Sequence, residues 1–380
     1  MLVNALSYGL IIPLLYPYAE AFGLSSFMVG LMFSSFSIAQ FLATPIIGRL
    51  SDRYGRKPLL VFSLFGTGAS LLLFAYATTP LLLFTARILD GITGGNNSVA
   101  QAVIADQSKG KERAKYFGIL GAVFGVGFLV GPALGGILGK IALNLPFIVG
   151  GIFSFVSAIL TAWLLPETNA SRHQQQTKKE GLFQLHKLHQ ALRIPIIGHI
   201  LLVVLLASAA HNSFVFGFQS YSVDVLRLSS NQVGLIYSLI GLLMVVMQAA
   251  GIKLLLKVLP NKQSVLILAS LSAALVMLAF GREQSILIFT IISGLYMVSF
   301  APIMVMNSAL ISEHSREEDQ GGMLGINQAY LSLGQILGPL LAGGANFLHH
   351  SASFYLAGGL FLLNVLIVSQ IRPSKKLADI

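Results

Sequence analysis

Residues 24–34 read LSSFMVGLMFS, and residues 228–238 read LSSNQVGLIYS, 204 positions later. A second pair of stretches repeats without a gap: 102–136 aligns with 309–343 at an offset of 207. That alignment pairs Asp106 with Glu313, Gly118 with Gly325, Gly127 with Gly334, and Gly131-Pro132 with Gly338-Pro339. Two apolar motifs at nearly one offset make the chain a same-sense tandem of two similar halves. Between them lies the longest polar stretch, ETNASRHQQQTKKEGLFQLHKLHQALRIP at 167–195. The expected organisation is an amino-terminal bundle over 1–166, a cytoplasmic linker over 167–195 and a carboxy-terminal bundle over 196–380.

The halves are built for lipid. Of the 380 residues 55% are apolar and 10% charged, whereas soluble domains run about 45–50% and about 25%. Apolar runs recur at 3–19, 28–48, 58–77, 80–105, 113–139, 146–165, 196–220, 233–257, 263–280, 285–311, 321–347 and 352–371. Each meets the roughly 17–25 residues that a helix needs to cross a bilayer. No sustained alternation of period two supports a membrane barrel. The predicted fold is all-α, with twelve transmembrane helices in two pseudo-symmetric six-helix bundles, an arrangement used by secondary transporters. The opening run, MLVNALSYGLIIPLLYPY, has no basic region ahead of it and reads as the first membrane helix rather than a cleavable leader.

Charge sets the expected orientation. With the amino terminus inside, 20 of the 24 Lys and Arg residues fall in inner loops and the carboxy-terminal tail. Only Lys140, Arg227 and Arg282 fall outside, and Arg87 lies within a span. An excess of cations on the cytoplasmic side is what membrane topology demands. We therefore expect both termini in the cytoplasm and a multi-pass protein of the inner (plasma) membrane. The net charge of +10 is then topological and implies no nucleic acid.

Several chemistries drop out. There is no cysteine, which excludes disulfides and thiol nucleophiles. His186 with His189, and His349 with His350, lack the further ligands a metal site needs. No GxxxxGK[ST] phosphate loop occurs, so the chain does not read as an ATP-driven pump. The expectation is a monomeric transporter, not an enzyme, with no cofactor. A sensor or scaffold is disfavoured because no sizeable soluble domain exists to report a signal.

The loop after the second span reads GRLSDRYGRKP, residues 48–58. Gly48 and Gly55 permit close approach and tight turning. Asp52 can face a helix N-terminus, where partial positive charge favours a carboxylate. Arg53 and Arg56 can pair with acids of neighbouring loops, with Asp106 the candidate; a plain positive-inside anchor is the alternative. In the fifth span, GAVFGVGFLVGPALGG (121–136) spaces Gly121 and Gly125, then Gly127, Gly131 and Gly135, every four residues, which lets helices approach closely. Pro132 can bend that helix. These glycines serve gating or simply tight packing.

The 48–58 loop resembles the G-x-L-S-D-R-x-G-R-K motif of the major facilitator superfamily at every fixed position. The fifth-span pattern resembles that of its antiporters, and Arg87 with Gly91 matches its fourth-span R-x-x-x-G. The stretch ARILDGITGGNNSVAQAVIAD (86–106), with the KERAKYFG that begins at Lys111, resembles tetracycline-type drug/proton antiporters. The resemblance covers essentially the whole chain and is strongest over 1–168. It implies a twelve-helix alternating-access transporter driven by the proton gradient. Two departures matter. Many proton-driven relatives carry Asp in the first span where this chain has Asn4, and Asn exchanges no proton. Tetracycline exporters have His and Asp at the positions that align with Met244 and Leu271, which argues against tetracycline as substrate.

Arg87 and Asp90 are the only charged pair well inside a span. A charge at mid-membrane costs about 2.5–3.5 kcal/mol on insertion scales, so such residues mark function by default. Their i, i+3 spacing puts them on one helix face. Either they form a permanent ion pair that fixes packing, or Asp90 binds the coupling proton and releases Arg87. Asn4, Gln40, Asn97, His211, Gln219, Gln248, Asn307 and Gln328 are candidates to line a substrate cavity between the halves. For any one of them, a hydrogen bond between helices is the simpler role. Two functional readings remain. The first is efflux of amphipathic or drug-like small molecules in exchange for protons. The second is a uniporter or symporter of a metabolite such as a sugar or organic acid.

Overall fold

The structure is a computed structural model that describes residues 1–108, 110–168, 185–280, 285–315 and 320–371. Among them every regular element is helical. In chain order these are α1 Leu2–Glu20, α2 Ser26–Tyr54, α3 Arg56–Ala75, α4 Pro80–Thr93, α5 Asn96–Gln107, α6 Gly110–Ile141 and α7 Leu145–Leu164. Then follow α8 Leu185–Leu192, α9 Ile197–Val225, α10 Ser230–Val258, α11 Lys262–Ala279, α12 Ile286–His314, α13 Gln320–Ala345 and α14 Ala352–Ser369.

Ten of these helices are long and apolar enough to cross a membrane. The expected count of twelve is not fully confirmed, and the run 80–105 is a broken span rather than one helix. It breaks at Gly94 and Gly95, between α4 and α5, where the Gly94 N–H turns back to the Gly91 carbonyl. Two adjacent glycines give the helix little reason to continue, and hydropathy does not register the break. The run 321–347 does form a long helix, α13, but does not count among the ten. Of the expected linker, 169–184 lies outside the described residues, and its last part forms α8.

Helix starts follow the sequence. Ser25 accepts from Met28 N, Thr79 from Leu82 N with Pro80 just behind it, and Asn261 from Gln263 N, each satisfying a donor that a helix start leaves open. Large apolar side chains such as Phe62, Phe65, Ile159, Trp163 and Leu366 stand exposed, as a lipid-facing surface requires and a soluble one does not tolerate in such number.

The described residues group into two compact units, 1–183 with 218–242 and 184–217 with 243–380. In the first unit α1 packs on α6 and α7, and α3 on α7. Gly127 lies against Ala5, Gly131 against Gly9 and Gly135 against Leu10, so the fifth-span glycines let two backbones meet. Ser7 Oγ donates to the Gly150 carbonyl at 2.9 Å. In the second unit the same device recurs, as the internal repeat requires. Gly334 lies against Ser208, and Gly338 against Ala209 and Asn212. That core also holds an aromatic cluster: Phe214, Phe280, Tyr296 and Phe354 meet with centroids 4.1–6.2 Å apart.

One consequence separates packed from open glycines. A Cβ on Gly131 would sit 2.5 Å from Gly9 Cα, whereas one on Gly121 meets nothing within 4 Å. Gly131→Val should therefore destabilise the protein by about 1–3 kcal/mol through overpacking. Gly121→Val should stay within about 0.5 kcal/mol. Thermal unfolding in detergent reads both.

Candidate functional site

At the end of α4, just before the break, lies the buried ion pair. Arg87 Nη1 donates to Asp90 Oδ2 at 3.0 Å, with the residues 7% and 1% exposed. One helical turn brings the two side chains onto a common face. The guanidinium carbon stands 4.1 Å from the centroid of the Phe36 ring on α2, a face that attracts cations most when water is excluded. Gly91 lets α4 close on α2 at Phe36 and Ala39, and Gln40 Nε2 donates to the Gly94 carbonyl at 3.1 Å. Gln40 thus satisfies an acceptor that the helix break exposes. Tyr8 of α1 lies within the field of both charges and within reach of Thr67 and Asn96.

Tyr8, Phe36 and Thr67 were not among the sequence candidates. An aromatic residue or a threonine in an apolar helix reads as packing, and only the fold places these three beside the charges. Asn4, one turn before Tyr8, is fully buried.

Around the 48–58 loop, Arg56 is the hub. Its Nη1 meets Asp52 Oδ1 at 2.6 Å and Ser51 Oγ at 2.7 Å, and its Nε meets Asp106 Oδ2 at 2.9 Å. Arg53 lies 5.3 Å over the Tyr54 ring. Gly48 has open space around its Cα, and Gly55, at φ +109°, makes the turn into α3 that a side chain would strain. At the N-terminus of α3 stands the carboxylate of Glu167. Its Oε1 accepts from Arg56 N at 2.8 Å and its Oε2 from Lys57 N at 3.3 Å. Asp52 pairs with the Arg56 guanidinium, and nothing in the sequence pointed to Glu167, 111 residues away. In the second half Lys262 Nζ meets Glu313 Oε2 at 2.8 Å. This copy of the Arg56–Asp106 contact keeps one cation and one acid.

The cavity candidates scatter. His211 Nδ1 lies 3.0 Å from the Tyr296 hydroxyl, and its ring stacks on Phe300 at 4.1 Å. Asn307 is buried, whereas Asn97, Gln248 and Gln328 are exposed. Gln219 is buried in the first unit, where its Oε1 accepts from the Tyr16 backbone N–H at 3.1 Å. Beside it the Tyr16 hydroxyl donates to Asp224 Oδ2 at 2.7 Å and lies 3.2 Å from Ser26 Oγ. Among the fifth-span residues, Gly125 is half-buried, and Pro132 lies inside α6 with its carbonyl against Gly234.

Comparison with known proteins bears directly on this arrangement. The profile of the Major Facilitator Superfamily matches residues 1–307 and 262–378. The chain belongs to the Major Facilitator Superfamily. As a member it is an integral membrane transporter of small molecules, not an enzyme. It is 30% identical over 319 residues to the class C tetracycline resistance protein of Escherichia coli, covering 82% of this chain and 78% of that one. It is 40% identical to the class H tetracycline resistance protein of Pasteurella multocida over 169 residues, 44% of this chain and 42% of that one. It is 24% identical to multidrug resistance protein 2 of Bacillus subtilis over 96% of this chain and 91% of that one. Among solved structures, the human organic anion transporter MFSD10 (TETRAN) matches with a TM-score of 0.71 at 22% identity, over 97% of this chain and 96% of that one. The nucleoside transporter NupG matches at 0.78 with 14% identity, over 98% and 97%. At such identities these two speak for the superfamily fold alone.

Proposed function

We propose that the protein exports amphipathic, drug-like molecules across the inner membrane in exchange for protons, with Asp90 as the proton-binding group and Arg87 as its switchable partner. The observation that carries this reading is the buried Arg87–Asp90 pair at the break between α4 and α5. A broken span whose half-helix ends flank an ionisable group is how secondary transporters place ion sites near mid-membrane. The likeness to tetracycline and multidrug resistance proteins supports the drug-like substrate class. Met244 and Leu271, both apolar, speak against tetracycline itself. Alternating access would come from rocking of the bundles 1–166 and 196–380, in a monomer with both termini cytoplasmic.

Everted membrane vesicles holding an imposed pH gradient provide the test. Tetracycline, ethidium, a set of lipophilic cations and a set of metabolites are added in turn. We expect proton release with one or more lipophilic compounds, none with tetracycline, and loss of the response in Asp90→Asn. Normal coupling in that variant would remove Asp90 from the role. Uptake of a metabolite without proton movement would make the protein a uniporter instead.

A further inference from the structure

The ion pair stands in an unusually polar interior. Asn4, Ser63, Thr67, Asp90 and Asn96 are all nine-tenths or more buried, yet each carries a side-chain N or O atom with no direct hydrogen-bond partner. They come from four elements of one unit, α1, α3, α4 and α5. Groups of this kind are costly to bury dry and are ordinarily satisfied by internal water, which needs two to four polar neighbours.

The connections form two levels. Around Asp90, the Tyr8 hydroxyl approaches Thr67 and Asn96, and Thr67 approaches Asp90. Thr67 Oγ1 and Asn96 Nδ2 nevertheless keep no aligned direct bond, and internal water serves buried atoms of this kind. Asn4 lies four residues before Tyr8 on α1, and Ser63 four before Thr67 on α3, so each shares its partner's face one turn away, about 5.4 Å. Both steps run toward the beginnings of α1 and α3, and α3 starts with the cationic Arg56 and Lys57 that mark the inner side.

We propose that these groups form a hydrated ladder inside the first unit, along which the proton exchanged at Asp90 reaches the inner face by a route separate from that of the transported molecule. This rests on the assignment of Asp90 as the proton-binding group. Release breaks the carboxyl O–H bond and passes the proton to water. Each hydroxyl or water of the ladder then accepts one proton on oxygen and gives up another, so that none changes its net charge. Asn4 transfers no proton; its amide donor and acceptor hold the water that does.

Infrared spectroscopy of the purified protein in nanodiscs after a pH jump tests this without a substrate. The carboxyl C=O band of Asp90 is identified by its loss in Asp90→Asn. In Asn4→Leu and Ser63→Ala the band should rise and fall at least tenfold more slowly, with unchanged amplitude. Ser63→Thr, which keeps the hydroxyl, should retain the wild-type rate. An unchanged rate in both Asn4→Leu and Ser63→Ala, with the band present, overturns the ladder alone. A slow rate in Ser63→Thr as well would show a packing effect and overturn it too. If Asp90→Asn removes no band, the assignment of Asp90 fails, and the ladder falls with it.

Discussion

Arg87→Leu, with Asp90 left in place, is expected to destabilise the protein by about 3–5 kcal/mol, because it strands a buried carboxylate without its cation. The double variant Arg87→Leu/Asp90→Leu should recover most of that loss. Replacing a whole buried pair by apolar side chains is often neutral, or stabilising by about 1–4 kcal/mol. The site suits the exchange, since Arg87 already lies on the Phe36 ring at 4.1 Å and a leucine would pack there too. Thermal unfolding in detergent reads the stabilities, and proton release in everted vesicles reads coupling. The expected pattern is a single variant that unfolds early and a double variant that is stable but uncoupled. A double variant as unstable as the single would show that the pair exists to hold α4 in place. Stability and coupling recovered together would show it to be dispensable.

Much of this was legible in the sequence, for identifiable reasons. Hydropathy is carried by many residues at once, so most spans survive local irregularity. The Arg87–Asp90 contact was legible because it spans one helical turn. Arg56 and Asp106 were legible because a short, cation-rich inner loop needs an acid nearby and Asp106 ends a neighbouring span on the same side. What stayed hidden depends on distance along the chain or on a single backbone event. The break at Gly94 and Gly95 changes no average over an apolar run, yet it sets Asn96 at the start of a new helix, within reach of Tyr8. Glu167 and Asp224 are acids at span ends, where solvation is the ordinary expectation. Their partners, the start of α3 and the Tyr16 hydroxyl, lie 111 and 208 residues away.

That last contact leads to the second large effect. Residues 218–242 group with the first unit, whereas the rest of α9 and α10 groups with the second. The hold of the first unit on this segment includes two bonds from Tyr16, its backbone N–H to Gln219 and its hydroxyl to Asp224 at 2.7 Å. A hydrogen bond to a charged group is worth about 1.5–3 kcal/mol. Tyr16→Phe removes the hydroxyl bond and keeps the ring. The population in which 218–242 is released should then rise by about 10–150-fold, at a factor of ten per about 1.4 kcal/mol. The chain has no cysteine of its own, so Ser222→Cys supplies a single reporter at a fully buried position. When opening and closing are fast compared with reaction, the labelling rate follows the open population. Maleimide should therefore label Ser222→Cys faster by that factor in the Tyr16→Phe background. An unchanged rate would mean that the segment is held by apolar packing, such as Pro132 against Gly234, and that the Tyr16–Asp224 bond does not set its release.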